Sequence, residues 1–257
     1  MNAAPDHLEL EQRIREMVLR TSSPAKHAAR SALRHIDTAV AIRDIDPEMA
    51  AFRAITAEEE AATAVFRALQ GRKYIGAHRM DPRNHVHKAA LRPFLVGVGE
   101  FLFRSAEKLH LEVQLRWREK KPKDKPQIVL RPTKGPLVGR EMISPLPLEF
   151  DAKVNGAPYD FSEELAKVVT LRRAKSIEKH IRELANRRNR MLYASPDGIP
   201  AVAGPIDKPL ARSKDRVLGH LIVVLLIDQY PQQLFVQQAL NAFRQVISKI
   251  DPRVGDR

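Results

Sequence analysis

The chain has 257 residues, 44 % of them hydrophobic, and 44 Lys and Arg against 31 Asp and Glu give a net charge of +13. That length and apolar content suit a globular protein with a sizeable core, and the absence of cysteine excludes disulfides, zinc thiolates and a thiol nucleophile. A surface this basic points to a polyanion, nucleic acid before anionic membrane, while only 5 % aromatic residues leave few platforms for base stacking.

Residues 6–20 read as a short amphipathic helix, charged throughout and unlike a secretory signal. A second helix is expected from Ser23-Pro24 to about Ile45, with Ala28, Ala32, Ile36, Ala39 and Val40 recurring along it. Asp46-Pro47 then supplies a cap and a proline at the first helical position. The next helix should run to Leu69 and pair with its predecessor as an antiparallel hairpin. Its apolar stripe reads Phe52, Ile55, Ala62, Phe66 and Leu69, with Glu59 in the middle, and Gly71 ends it. Asp81-Pro82 repeats the capping signal and opens a long helix to about Leu109, with Pro93 inside it. His87 projects to the apolar side of that helix and His85 away from it.

From Leu111 the period changes. Leu111, Val113, Leu115 and Trp117 alternate with polar residues, as in a half-buried strand, and Gln127 to Arg131 is its expected partner across a charged, proline-bearing loop. Leu148, Phe150, Ala152 and Val154 alternate again before the turn signal Asn155-Gly156. Ser162 caps the next expected helix, which continues to about Ala194. An irregular Pro- and Gly-bearing stretch over 196–209 follows it. Ser213 is read as capping a nearly apolar helix to Asp228, and Pro231 precedes a last helix to Ile250. The longest apolar run, Leu221 to Ile227, is too short to span a bilayer, so a cytoplasmic protein that does not engage a membrane is expected. The fold class is mainly α, a helical bundle (24–110 and 160–250) with a peripheral N-terminal helix (1–23) and a small antiparallel β insert (111–159).

The stretch 172–190 carries eight Lys or Arg and two Glu. Its apolar residues Leu171, Ile177, Ile181 and Leu184 fall on one helical face, and Arg188 projects within about 20° of Ile181. A guanidinium on an apolar stripe needs a partner, and so does the inward Glu59. The simplest expectation is that Glu59 and Arg188 meet across the helical core or at a dimer interface. The chain has no P-loop, no dinucleotide glycine fingerprint, no GxSxG and no HExxH. Nucleotide-dependent and hydrolase-fold chemistry is thereby disfavoured, and neither a cofactor nor a metal is expected.

Three segments together carry a resemblance: AITAEEEAATAVFRAL, HVHKAALRPFL and RELANRRNRMLYASPDGIP. In sequence they resemble the HEPN superfamily, and within it the abortive-infection (AbiV-like) branch, over roughly 30–110 and 160–250. The resemblance implies a helical bundle that commonly dimerises and a metal-independent RNase of phage-defence or toxin–antitoxin type, with RNA as substrate and a cognate antitoxin as partner. The family signature is an Arg, often followed by Asn, with a His four to six residues on. Arg188-Asn189 matches its first part, and Tyr193 stands where the His is expected.

By that resemblance Arg188 holds the scissile phosphate, Asn189 and Tyr193 orient or stabilise it, and Glu59 positions Arg188. Proton transfer falls to His180 or His87, because an imidazole and not a phenol titrates near neutrality. Arg172, Arg173, Lys175, Lys179, Arg182, Arg187 and Arg190 form the expected RNA-binding face. A non-catalytic basic protein that binds RNA or a partner through the same face is the alternative.

Overall fold

The structure is a computed structural model, which describes residues 7–21, 23–118, 125–136, 138–139, 153–154, 157–170, 179, 181–183, 186, 189–193, 198, 201–202 and 204–254. It is mainly helical, with a small two-stranded antiparallel sheet. The helices are α1 (His7–Arg20), α2 (Lys26–Ala41), α3 (Pro47–Gly71), α4 (His85–Lys108), α5 (Ser162–Thr170), α6 (Asp207–Asp228) and α7 (Leu234–Ser248), with short 3-10 turns at Ala77–Arg79 and Pro252–Val254. Residues 181–183 and 189–192 are also helical. The chain forms two compact units. The first comprises Met1–Gly71, Asp81–Ala89 and His180–Leu225; the second comprises Arg72–Met80, Ala90–Lys179 and Leu226–Arg257.

The first unit is built on the α2–α3 hairpin. Asp46 caps α3 as expected, its carboxylate accepting the Met49 N–H at 2.8 Å. What α3 buries along its first half is a line of alanines, Ala50, Ala54, Ala57 and Ala61, while Phe52 and Ile55 are only half-buried. Alanines 28, 29, 32 and 39 are buried on α2. Small side chains on both partners let helix axes approach closely, and that requirement displaces the larger residues to the flank. The C-terminal half of α3 is buried nearly all round, with Ala62, Val65, Phe66 and Leu69 inside. Gly71 does end α3, but the left-handed residue is Lys73, at φ 58°. Gly71 lies where a Cβ would come within 3.2 Å of the Pro24 ring.

Helix α1 packs on α2 and buries Ile14 and Val18 completely. It is also held by charge: Glu11 meets Lys214 at 2.6 Å and Arg15 at 2.9 Å, and Arg15 reaches Asp37 at 2.7 Å. Helix α6 begins at Asp207, so Ser213 lies inside it and is not its cap. Arg43 meets Asp207 at 3.3 Å in this first turn.

In the second unit α4 is followed by the β1 (Leu111–Arg118) and β2 (Lys125–Pro132) hairpin, paired from Leu111↔Pro132 to Arg118↔Lys125. Its buried residues are on β2, Val129 and Leu130 together with Pro126, Gln127 and Pro132. Tyr230 Oη donates to the Pro126 carbonyl at 2.7 Å, and the Lys125 ammonium reaches the Gln229 carbonyl at 2.9 Å. Of the second alternating stretch, β3 (Lys153–Val154) pairs with β4 (Ala157–Pro158), and 148–152 lie outside the described residues. Phe161 packs on Tyr159, Phe101 and Phe235, with ring centroids 4.8, 5.8 and 6.4 Å apart. Ser162 does not cap α5 with its hydroxyl. That group donates to Asp160 at 2.6 Å, and the same carboxylate oxygen accepts the Ser162 N–H at 2.9 Å.

Burial pushes the Glu11 carboxyl up, but hydrogen bonds and charge from Lys214 and Arg15 outweigh it and hold the group below the usual carboxylate range. A depressed carboxylate contributes stability above its unfolded pKa, and that contribution is lost as pH falls through the folded value. Glu11→Gln should therefore lower stability by about 1 kcal/mol at pH 7. The gap to wild type should close below about pH 4, as followed by urea unfolding at several pH values. A gap that stays constant with pH would show that the pair is energetically silent.

Candidate functional site

The first turn of α4 carries His85, His87 and Lys88 and no acidic residue. A helix N-terminus is the positive end of the helix dipole and disfavours cations. The compensating negative charge comes from α3. Glu59 Oε1 lies 2.8 Å from His85 Nδ1, and Glu59 Oε2 lies 3.2 Å from the Lys88 ammonium. Glu59 and Lys88 are largely buried, with side chains 12 % and 7 % exposed, while the His85 side chain is 43 % exposed. An ionised carboxylate only accepts hydrogen bonds, so the proton between Glu59 and His85 sits on Nδ1.

Local sequence explains the placement. Asp81 does not cap α4, because its carboxylate closes a turn by accepting the Arg83 N–H at 2.8 Å. The cap is Asn84, whose side-chain oxygen accepts from Val86 N–H at 2.9 Å and His87 N–H at 3.4 Å. The helix thus starts at His85, three residues later than the Asp-Pro signal indicates. Thr63 Oγ1 donates to the Pro82 carbonyl at 3.5 Å and ties the turn to α3. The residue before Glu59 on α3, Glu58, pairs with Arg216 of α6 at 3.1 Å.

The residues singled out from the sequence are dispersed. Glu59 does find partners in another helix, and they are His85 and Lys88. Arg188, its expected partner, lies outside the described residues, as do His180, Arg172, Arg173, Lys175 and Arg187. His87 is 2 % exposed, and its Nδ1 accepts the Asp81 N–H at 3.2 Å. That places it in the interior beside the turn, away from any surface that a polymer reaches. Asn189, Arg190 and Arg182 are exposed, and Tyr193 is 66 % exposed. Together with exposed Asn186 they fall within about 100° of one another at helical spacing, while Ile181 is buried. The Arg190 guanidinium folds back to the Glu183 carbonyl at 3.0 Å. Lys179, in the second unit, is exposed.

His85 and Lys88 were missed by reading one helix at a time. The available signal was their i, i+3 spacing in a first turn without acid, set against a Glu in need of a partner. Among the described residues no group of three or more His, Asp or Glu is placed to hold a metal, and no helix is long and apolar enough to cross a membrane. The second unit has a polar cavity of about 370 Å³ lined by Asp160, Ser162, Asn241, Arg244 and Ser248. Compared with protein-family models, curated proteins and solved structures, the chain matches none.

Glu59→Gln removes the charge that offsets the buried Lys88 ammonium. A loss of about 3 kcal/mol is expected in urea unfolding, because the partner is stranded. Glu59→Gln/Lys88→Met should recover part of it. Strictly additive losses would show that the two side chains are not energetically coupled.

Proposed function

We propose that this chain acts on RNA as a metal-independent ribonuclease of HEPN type. The observation that carries the reading is the exposed face formed by Arg182, Asn186, Asn189, Arg190 and Tyr193, on a chain of net charge +13. Guanidiniums and carboxamides at helical spacing suit phosphate and sugar oxygens, the contacts that hold a nucleic-acid backbone whatever its sequence. With few aromatics, affinity rests on charge and must fall steeply with salt.

In this reading Arg188, Asn189 and Tyr193 take the phosphate-holding roles that the family resemblance gives them. Cleavage without a metal uses the 2′-hydroxyl of RNA itself, which needs a proton acceptor and a stabilised phosphate. A defence or toxin-type role, with a second copy or an antitoxin as partner, belongs to the same resemblance. The alternative of a non-catalytic RNA binder is favoured by one observation, Tyr193 at the position of the signature His, since a phenol does not exchange protons readily at neutral pH.

Bulk RNA incubated in EDTA with wild type and Arg188→Ala tests the reading. Wild type should cleave, and Arg188→Ala should lose most cleavage. Arg182→Ala and Arg190→Ala should each weaken binding whatever the sequence, and should lower the slope of log affinity against log salt by about 1. Binding without cleavage by wild type leaves only the binder; neither binding nor cleavage removes both.

A further inference from the structure

We propose that His85 is the general base of RNA cleavage, with Glu59 and Lys88 as positioning residues. The proposal rests on the ribonuclease reading above and names the proton-transfer group that the Arg188–Tyr193 segment lacks. Its basis is a gradient of burial across three contacting side chains. Lys88 (7 % exposed) and Glu59 (12 %) are inside, and His85 (43 %) stands half in solvent. Each carboxylate oxygen has its own donor, Nζ at 3.2 Å and Nδ1 at 2.8 Å. The carboxylate is therefore fixed from behind by an ammonium, and it fixes in turn the ring orientation and tautomer of the imidazole. A structural ion pair needs only Glu59 and Lys88; the half-exposed imidazole on the second oxygen is surplus to charge balance.

The other described histidines with a defined partner do not share this arrangement. His87 is buried and its Nδ1 accepts from a backbone N–H. His220 is buried with Nδ1 at 2.6 Å from the Arg216 carbonyl, and His35 Nδ1 lies 3.3 Å from the Arg53 guanidinium. His7 also meets a carboxylate, Asp215 at 3.2 Å, but both side chains are exposed, at 66 % and 58 %. A contact in high dielectric between mobile groups pre-organises little. His85 alone among these joins a buried carboxylate to solvent.

The step is balanced without a co-reactant. Nε2 of neutral His85 takes the proton of a ribose 2′-hydroxyl as the 2′-oxygen forms a bond to the adjacent phosphorus. The bond from phosphorus to the 5′-oxygen breaks. The leaving 5′-oxygen takes the proton back from the imidazolium, giving a 2′,3′-cyclic phosphate and a 5′-hydroxyl. Glu59 stabilises the imidazolium in between, the role a carboxylate plays behind a catalytic imidazole in general. Lys88 holds that carboxylate in place at 3.2 Å.

The test uses the full chain, bulk RNA in EDTA, and 2′-O-methyl RNA as a substrate that cannot react. His85→Gln should cut the cleavage rate by about a hundred-fold or more, with RNA binding and thermal unfolding unchanged. Added imidazole should restore part of the rate to His85→Ala. Glu59→Gln should change the pH dependence of cleavage and not only its amplitude. Wild-type cleavage that persists in His85→Gln with the same pH profile overturns this proposal and leaves the ribonuclease reading standing. Wild type that binds RNA but does not cleave it overturns both the proposal and the ribonuclease, and leaves a binder.

Discussion

One carboxylate ties the start of α4 to α3. A helix whose first turn holds a lysine, without an acid, starts at a place where its own dipole opposes that charge. Glu59 reaches that turn from α3 and satisfies His85 and Lys88 together. Three further contacts keep the geometry in register: the Asn84 cap, the Asp81 N–H to His87, and Thr63 to the Pro82 carbonyl. A lysine this buried is tolerated only beside an anion, since leaving an ammonium unpaired out of water is far costlier than pairing it. Glu59 therefore holds against α3 a helix start that the Asn84 cap sets.

Much of the architecture was legible because it depends on local chemistry. Asp46-Pro47 starts α3, the Leu111–Trp117 alternation is β1, and its partner lies where the pattern puts it. Errors arose where two local signals compete. Asp81 and Asn84 are both capping residues, and the chain uses the first to close a turn and the second to start the helix. Ser213 looks like a cap, but Asp207 opens α6 two turns earlier, and Pro209 is harmless so near a helix start.

The candidate site was half legible for a different reason. Helical phase reveals which residue is out of place on its own helix, so Glu59 announced its need for a partner. It does not reveal which neighbouring helix supplies one. His85 was assigned to the polar side of α4, and it is indeed half-exposed; what phase omits is that the flank of this first turn lies against α3. Likewise the visible apolar stripe of α3 drew attention to Phe52 and Ile55, whereas the buried line is alanine. Large hydrophobes dominate a pattern by eye, but close packing between two helices is governed by the smallest side chains at the contact.

A histidine missing from one motif is a statement about sequence order, whereas proton transfer depends only on geometry. Imidazole–carboxylate pairs are recognised by distance, tautomer and exposure, and they recur in any chain order. Here the imidazole–carboxylate pair joins α3 and α4, and the exposed residues Asn189, Arg190 and Tyr193, about a hundred positions further along the chain, belong to the same compact unit. The basic face by itself gives attraction that any polyanion shares. The Glu59–His85 pair adds what charge cannot, an imidazole held in one orientation by a largely buried carboxylate at the edge of solvent.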